Sequence, residues 1–231
     1  MSVPRPVLVT ALLAALVTVG ALVTAFVLRP EAGGGIPEPS VDAAESVGAA
    51  DCGAEPCQVL ASTEVGGLRM ELLADGNGGT GRLRAGGSAA GIVAETAITA
   101  MGVQLTSDSL DCVAAADPVC LVRGPLDGGM VGEVQVWRDG SWRAAERPYF
   151  SDAGSIGLDD VAGDGAPEVI VVRHECSQVE SATACQEAPV LAEVLDLRGA
   201  LLGCTYQYES PDELRGWPEV RLRESDLREC P

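Results

Sequence analysis

Three short runs, PCQVLAS from Pro56, PVCLVRG from Pro118 and PEVIVVR from Pro167, share one reading: a proline followed by apolar, largely β-branched residues. Each is followed by a second strand-like run that ends in a glycine-containing turn, namely MELLADGNGG from Met70, GEVQVWRDGSW from Gly132 and AEVLDLRGALLG from Ala192. The matching glutamates, Glu71, Glu133 and Glu193, stand 62 and 60 residues apart. A near-fixed period means that each unit is one supersecondary structure, unable to bury its apolar face alone and obliged to pack on its neighbours. The alternation in EVQVWRDGSWRA, with Asp139-Gly140 at its centre, is a hairpin pattern. No long amphipathic helical pattern competes with it. The region from residue 52 to 231 is therefore expected to be all-β, each unit supplying a hairpin or a small sheet.

Ahead of this region lies a segment of another kind. Val7 to Leu28 are 22 consecutive uncharged residues. As a helix they would span about 33 Å, against about 30 Å of bilayer hydrocarbon. Residues 7–28 thus read as a transmembrane signal anchor and residues 1–6 as a cytoplasmic amino terminus. The positive charges of Arg5 and the α-amine favour that orientation. Val23-Thr24-Ala25 offers the alternative of a cleaved signal peptide and a secreted form. Residues 29–51, rich in Pro, Gly, Ala and acids, have too little apolar surface to offset ordering entropy and read as a flexible linker.

All eight cysteines lie beyond the hydrophobic segment. An even number in an exported domain implies a disulfide framework. Because short loops close at least entropic cost, the expected pairs are Cys52 with Cys57, Cys112 with Cys120, Cys176 with Cys185, and Cys204 with Cys230. Zinc is the competing use of clustered cysteines, but no C-x-x-C occurs and the chain has one histidine, His174.

With 34 acidic and 15 basic residues the net charge is −19. That argues against nucleic acid, which needs a basic footprint. Every basic residue is arginine, a usage that resembles single-pass envelope proteins of GC-rich actinobacteria.

The stretch GLDDVAGDGAPEVIVV, residues 157–172, resembles the strand-loop-strand core of FG-GAP and VCBS repeats, the blades of integrin-type β-propellers. The resemblance implies a small or degenerate propeller of about three units, with calcium held in an inter-strand loop. Carried onto this chain, Asp160, Asp164 and Glu168 take the first, fifth and ninth ligand positions, and the backbone carbonyl of Ala166 the seventh. Ala162 stands at the third, where the family has Asp or Asn. Calcium seeks six to eight oxygens, so this substitution leaves an incomplete shell. The plain alternative is that the GDG motif forms a tight turn and Asp160 accepts backbone amides within it. Propellers usually have at least four blades. With about three units, either the carboxy-terminal CTYQYESPDELRGWPEVRLRESDLREC supplies a degenerate fourth, or the units form a disulfide-stabilised β-sandwich or irregular barrel.

Other constellations favour plain roles. His174 ends an apolar run beside Glu175 and Cys176, and no G-x-S-x-G accompanies it. The glycine-rich stretch Asp75–Gly87 lacks a P-loop lysine and reads as a hairpin loop. Trp137 and Trp142 straddle the predicted turn and are expected to pack across strands. The chain therefore reads as a non-catalytic, membrane-anchored extracellular module for a protein or glycan ligand, possessing at most one weak calcium loop. The alternatives are a carboxylate-dependent secreted hydrolase and a purely structural envelope component.

Overall fold

The computed structural model describes residues 51–86, 91–177 and 181–231, so the expected anchor at 7–28 lies outside the described residues. Among those residues no helix is long and apolar enough to cross a membrane. Among the described residues antiparallel strands dominate, and the longest helix, α1, is five residues (Ala182–Gln186).

A two-stranded ribbon, β1 (Asp51–Cys52) and β2 (Glu55–Pro56), comes first among the described residues. Three antiparallel sheets, of four, five and four strands, follow in sequence order. Sheet I is β3 (Gln58–Val65), β4 (Leu68–Ala74), β5 (Gly81–Ala85) and β6 (Ile92–Glu95). Sheet II is β7 (Leu110–Val113), β8 (Val119–Leu126), β9 (Gly129–Arg138) and β10 (Ser141–Ala144), with β11 (Tyr149–Ser151) pairing farther along β9. Sheet III is β12 (Ile156–Asp159), β13 (Glu168–His174), β14 (Val190–Leu195) and β15 (Leu201–Cys204). Consecutive strands are neighbours throughout these paths, and none of the sheets closes on itself into a barrel.

The repeats seen in the sequence map onto β3–β4, β8–β9 and β13–β14, with Glu71, Glu133 and Glu193 inside the second strand of each pair. The runs in β8 and β13 are apolar at successive positions because both faces of these strands are covered, whereas the first run lies on β3, an edge strand with Val59 exposed. In β8, Val119 and Leu121 face sheet III while Cys120 and Val122 face sheet I. In β13, Val169 and Val171 meet sheet II, whereas Ile170 and Val172 turn to the opposite side. The side-chain period of two in a strand makes this division automatic.

The carboxy-terminal region corrects one expectation. Residues 205–231 do not supply a fourth sheet. They run as irregular backbone with 3₁₀ turns at Pro211–Glu213 and Glu224–Asp226, and contribute two isolated bridges, Val190 with Tyr208 and Cys204 with Arg228. Leu214, Val220 and Leu222 from this region pack on Ile170, Val172, Val190 and Val194, closing the far face of sheet III. Three prolines and one glycine among these residues, Pro211, Pro218, Pro231 and Gly216, break any long ladder, so the segment acts as a cover and not as a blade.

Candidate functional site: the acidic loop and an adjoining cleft

The loop joining β12 to β13 is short, and its acidic side chains turn inward upon its own backbone. Asp160 accepts the Asp164 amide through Oδ1 and the Gly165 amide through Oδ2, both at 3.1 Å. Asp164 Oδ1 accepts from the Ala166 amide at 2.9 Å. Glu168 Oε2 accepts from Val161 at 2.8 Å and Ala162 at 3.3 Å. Gly163 and Gly165 take φ of 73° and 84°, the left-handed conformations that let the chain reverse within so few residues. The carboxylates of Asp160, Asp164 and Glu168 do not converge to within ion-sharing distance of one another. Among the described residues the group that does so is Asp152 with Cys176 and Cys185. Those two cysteines are bonded to each other, so their sulfurs are not free ligands.

Two further loops use the same device, and neither contains the pattern that marked Asp160. Between β4 and β5, Asp75 Oδ1 accepts the Asn77 and Gly79 amides. Between β14 and β15, Asp196 Oδ1 accepts those of Arg198 and Ala200. The Gly79 amide bond is the main cause that holds the Asp75 carboxyl below the usual range. For Asp196, partial burial pushes the pKa up, but the Ala200 amide and Arg198 outweigh it and the net shift is downward. An Asp three residues ahead of a glycine of positive φ, as in Asp75 with Gly78, Asp160 with Gly163 and Asp196 with Gly199, is the signal for such turns.

A cleft of about 490 Å³ adjoins the acidic loop. Its apolar wall comes from Val161, Val194, Leu202 and Leu227, and its rim carries Glu224, Arg228 and Glu229. The geometry arises where the carboxy-terminal segment parts from sheet III. At one end the backbone of Arg228 exchanges hydrogen bonds with Cys204, and at the other Glu224 donates its amide to the Val161 carbonyl. Between these fixed points Leu202 on β15 is 52 % exposed. The Arg228 guanidinium lies over the Tyr206 ring, and its Nε is buried without an acceptor among the described residues.

The four disulfides join Cys52 to Cys57, Cys112 to Cys120, Cys176 to Cys185 and Cys204 to Cys230, and no cysteine is free. Cys112 and Cys120 are direct partners on β7 and β8. The bond from Cys204 to Cys230 pins the carboxy terminus beside the end of β15, and so holds one end of the cleft.

The repeated glutamates serve three different environments. Glu71 is buried and bridges Arg84 and Arg69. Glu133, also buried, accepts the Ala97 amide and a hydrogen bond from Gln135. Glu193 pairs with Arg173 at 3.4 Å. His174 ends β13; its amide donates to Asp152, whose carboxylate also lies 3.4 Å from the imidazole Nδ1. Trp137 and Trp142 are register partners across β9 and β10, with ring centroids 5.1 Å apart in an edge-to-face arrangement. Trp142 Nε1 donates to the Ile92 carbonyl, tying sheet II to sheet I. Comparison with protein-family models, with curated proteins and with solved structures yields no match to this chain.

Proposed function

We propose that this chain is an extracytoplasmic binding module, tethered by residues 7–28 and a linker, whose contact surface is the cleft between β15 and the carboxy-terminal segment. The observation that carries the reading is the cleft itself: a concavity in which Leu202 and Leu227 lie over the buried Val161 and Val194, with charged groups at the rim and a disulfide and backbone bridges at its ends. Sites that bind ligands are built in this way, and a volume of about 300 to 1,000 Å³ is usual for them. The eight paired cysteines support an oxidising address for the domain, because such bonds persist outside the cytosol.

The three successive antiparallel sheets, of four, five and four strands, support a propeller-like repeat plan in which each sheet is one blade. In this plan the carboxy-terminal cover takes the place of a further blade. The acidic loop is read as a self-supporting turn, since backbone amides already engage all three of its carboxylates; calcium is the second reading, favoured by the spacing of Asp160, Asp164 and Glu168.

The test is cosedimentation of liposomes bearing the full-length protein with cell-envelope fragments of the producing cells. Leu202→Asp should abolish that cosedimentation while leaving the four disulfides intact. Equal binding by the variant would remove the cleft from the account.

A further inference from the structure

An edge strand that displays adjacent leucines is unusual in a soluble domain, because unpaired edges are generally guarded by charge, by bulges or by a covering segment. β15 is such an edge. It pairs with β14 on one side, where the register shifts between Val194 and Leu195 and leaves Leu202 in a bulge without a register partner. On its other side, among the described residues, the backbone bridge to Arg228 engages Cys204 alone. Leu201 and Leu202 are 51 % and 52 % exposed. Of the two, Leu202 lines the cleft.

Glu224 and Glu229 are exposed at the cleft, and the Glu168 carboxylate is already engaged by the loop amides. Arg228, the basic residue in the lining, is turned over Tyr206. The mouth is thus acidic above an apolar floor, on a chain of net charge −19. Such a field draws cations and repels a second copy of the same chain.

Building on the reading of the cleft as the contact surface, we propose that it takes an extended segment of a partner protein in which apolar and cationic side chains alternate. In an extended strand successive side chains point to opposite faces, so apolar residues of one parity meet Val194, Leu202 and Leu227 while cationic residues of the other stand beside Glu224 and Glu229. The backbone of the incoming segment lies along the short open edge at Leu201 and Leu202, beyond which Leu227 and Arg228 already cover Gly203 and Cys204. Strand addition of this kind takes affinity from main-chain hydrogen bonds and specificity from alternate side chains.

The experiment uses the full-length protein in nanodiscs of phosphatidylcholine and a fluorescein-labelled peptide, Val-Lys-Leu-Lys-Val-Lys-Leu, read by anisotropy. Its counterpart with glutamate for lysine is the control. The expected result is binding of the cationic peptide at least about tenfold tighter than the anionic one, a difference of about 1.4 kcal/mol. Salt should weaken it, because exposed charges are screened.

Leu202→Asp separates the proposal from general attraction between opposite charges. The substitution adds a negative charge, so unspecific attraction would strengthen binding, whereas loss of the apolar wall weakens it by roughly tenfold. Leu201→Asp, which adds the same charge on the same strand, should leave affinity unchanged, and disulfide mapping of both variants checks the fold. Equal affinity for both peptides, or tighter binding by Leu202→Asp, would overturn the proposal, as would a Leu202-dependent dimer that excludes peptide. If Leu202→Asp abolished envelope cosedimentation while neither peptide bound, the cleft would remain the contact surface and the assignment of a cationic strand would be wrong.

Discussion

Glu168 reaches back across the acidic loop and accepts the Val161 amide at 2.8 Å, so the first residue of β13 fixes the entrance of the same loop that delivers the chain to it. Glu168 is buried, and loss of its carboxylate would leave two amides without that acceptor. An unsatisfied buried polar group costs about 1 to 3 kcal/mol. Glu168→Ala is expected to destabilise by about that amount and Glu168→Gln by less, since the amide oxygen can still accept. Chemical denaturation of the two variants checks the order. Calcium at millimolar concentration and a chelator should give the same thermal midpoint. A calcium-dependent rise that Asp164→Ala abolishes would instead assign an ion to the loop.

Within sheet I the Glu71 carboxylate accepts Arg84 Nε at 2.7 Å, in a pair whose side chains are both largely removed from solvent. Breaking a buried pair by removing one partner costs about 3 to 5 kcal/mol, because the remaining charge is left uncompensated. Arg84→Ala should approach that figure, moderated by Arg69, which also contacts Glu71. Joint replacement, Glu71→Leu with Arg84→Met, should recover much of the loss. A double-mutant cycle measures the difference.

The bond between Cys204 and Cys230 closes a separation of 26 residues. In the chain-entropy account a loop of this size contributes about 3 to 4 kcal/mol. Cys230→Ser paired with Cys204→Ser should lower stability by up to that amount. It should also speed hydrogen exchange at the Cys204 and Arg228 amides, which face each other at 3.0 and 2.9 Å to the opposing carbonyls. Exchange mass spectrometry would show protection falling first over residues 224–231. Unchanged protection there would mean that the apolar contacts of the cover, and not the disulfide, hold it.

Asp75, Glu175 and Asp196 all have carboxyls held below their ordinary range. For Glu175 the leading cause is the Ser177 hydroxyl, with the Ser177 amide acting in the same direction. A group whose folded pKa is depressed binds protons more weakly when folded than unfolded. Its contribution is therefore complete above the unfolded pKa, about 3.9 for Asp and 4.3 for Glu, and is lost as pH falls through the folded value. Stability should decline below about pH 4, and Asp196→Asn should flatten the acid limb. Denaturant midpoints measured between about pH 2 and 7 test this, and a variant that retained the wild-type slope would remove Asp196 from the explanation.

The sheets were legible in the sequence because three proline-headed runs and their glutamates repeat, and because short cysteine separations restrict plausible partners. Asp139-Gly140 was legible for a similar local reason: both residues take positive φ, 52° and 72°, in the turn between β9 and β10. What escaped the sequence depends on register or on the lack of a pattern. Glu71 meets Arg84 across β4 and β5, a relation fixed by strand pairing and not by their separation along the chain. Residues 205–231 carry no period, and their role as a cover follows from Leu214, Val220 and Leu222 finding the exposed side of β13 and β14. The cleft is hidden for the same reason, as Leu202 and Leu227 become neighbours only after that cover has been laid down.

The proposed arrangement, an exported β domain locked by four local disulfides behind a retained membrane segment, can be checked on the native protein. Cells producing the full chain are treated with a thiol-blocking reagent before lysis, the membranes are washed in high salt, and the retained protein is mapped by non-reducing peptide mass spectrometry. The account predicts intact Val7–Leu28 peptide in the membrane fraction and four linked peptides, joining Cys52 to Cys57, Cys112 to Cys120, Cys176 to Cys185 and Cys204 to Cys230. Blocked free thiols, crossed pairs, or a soluble form beginning near Phe26 would contradict it.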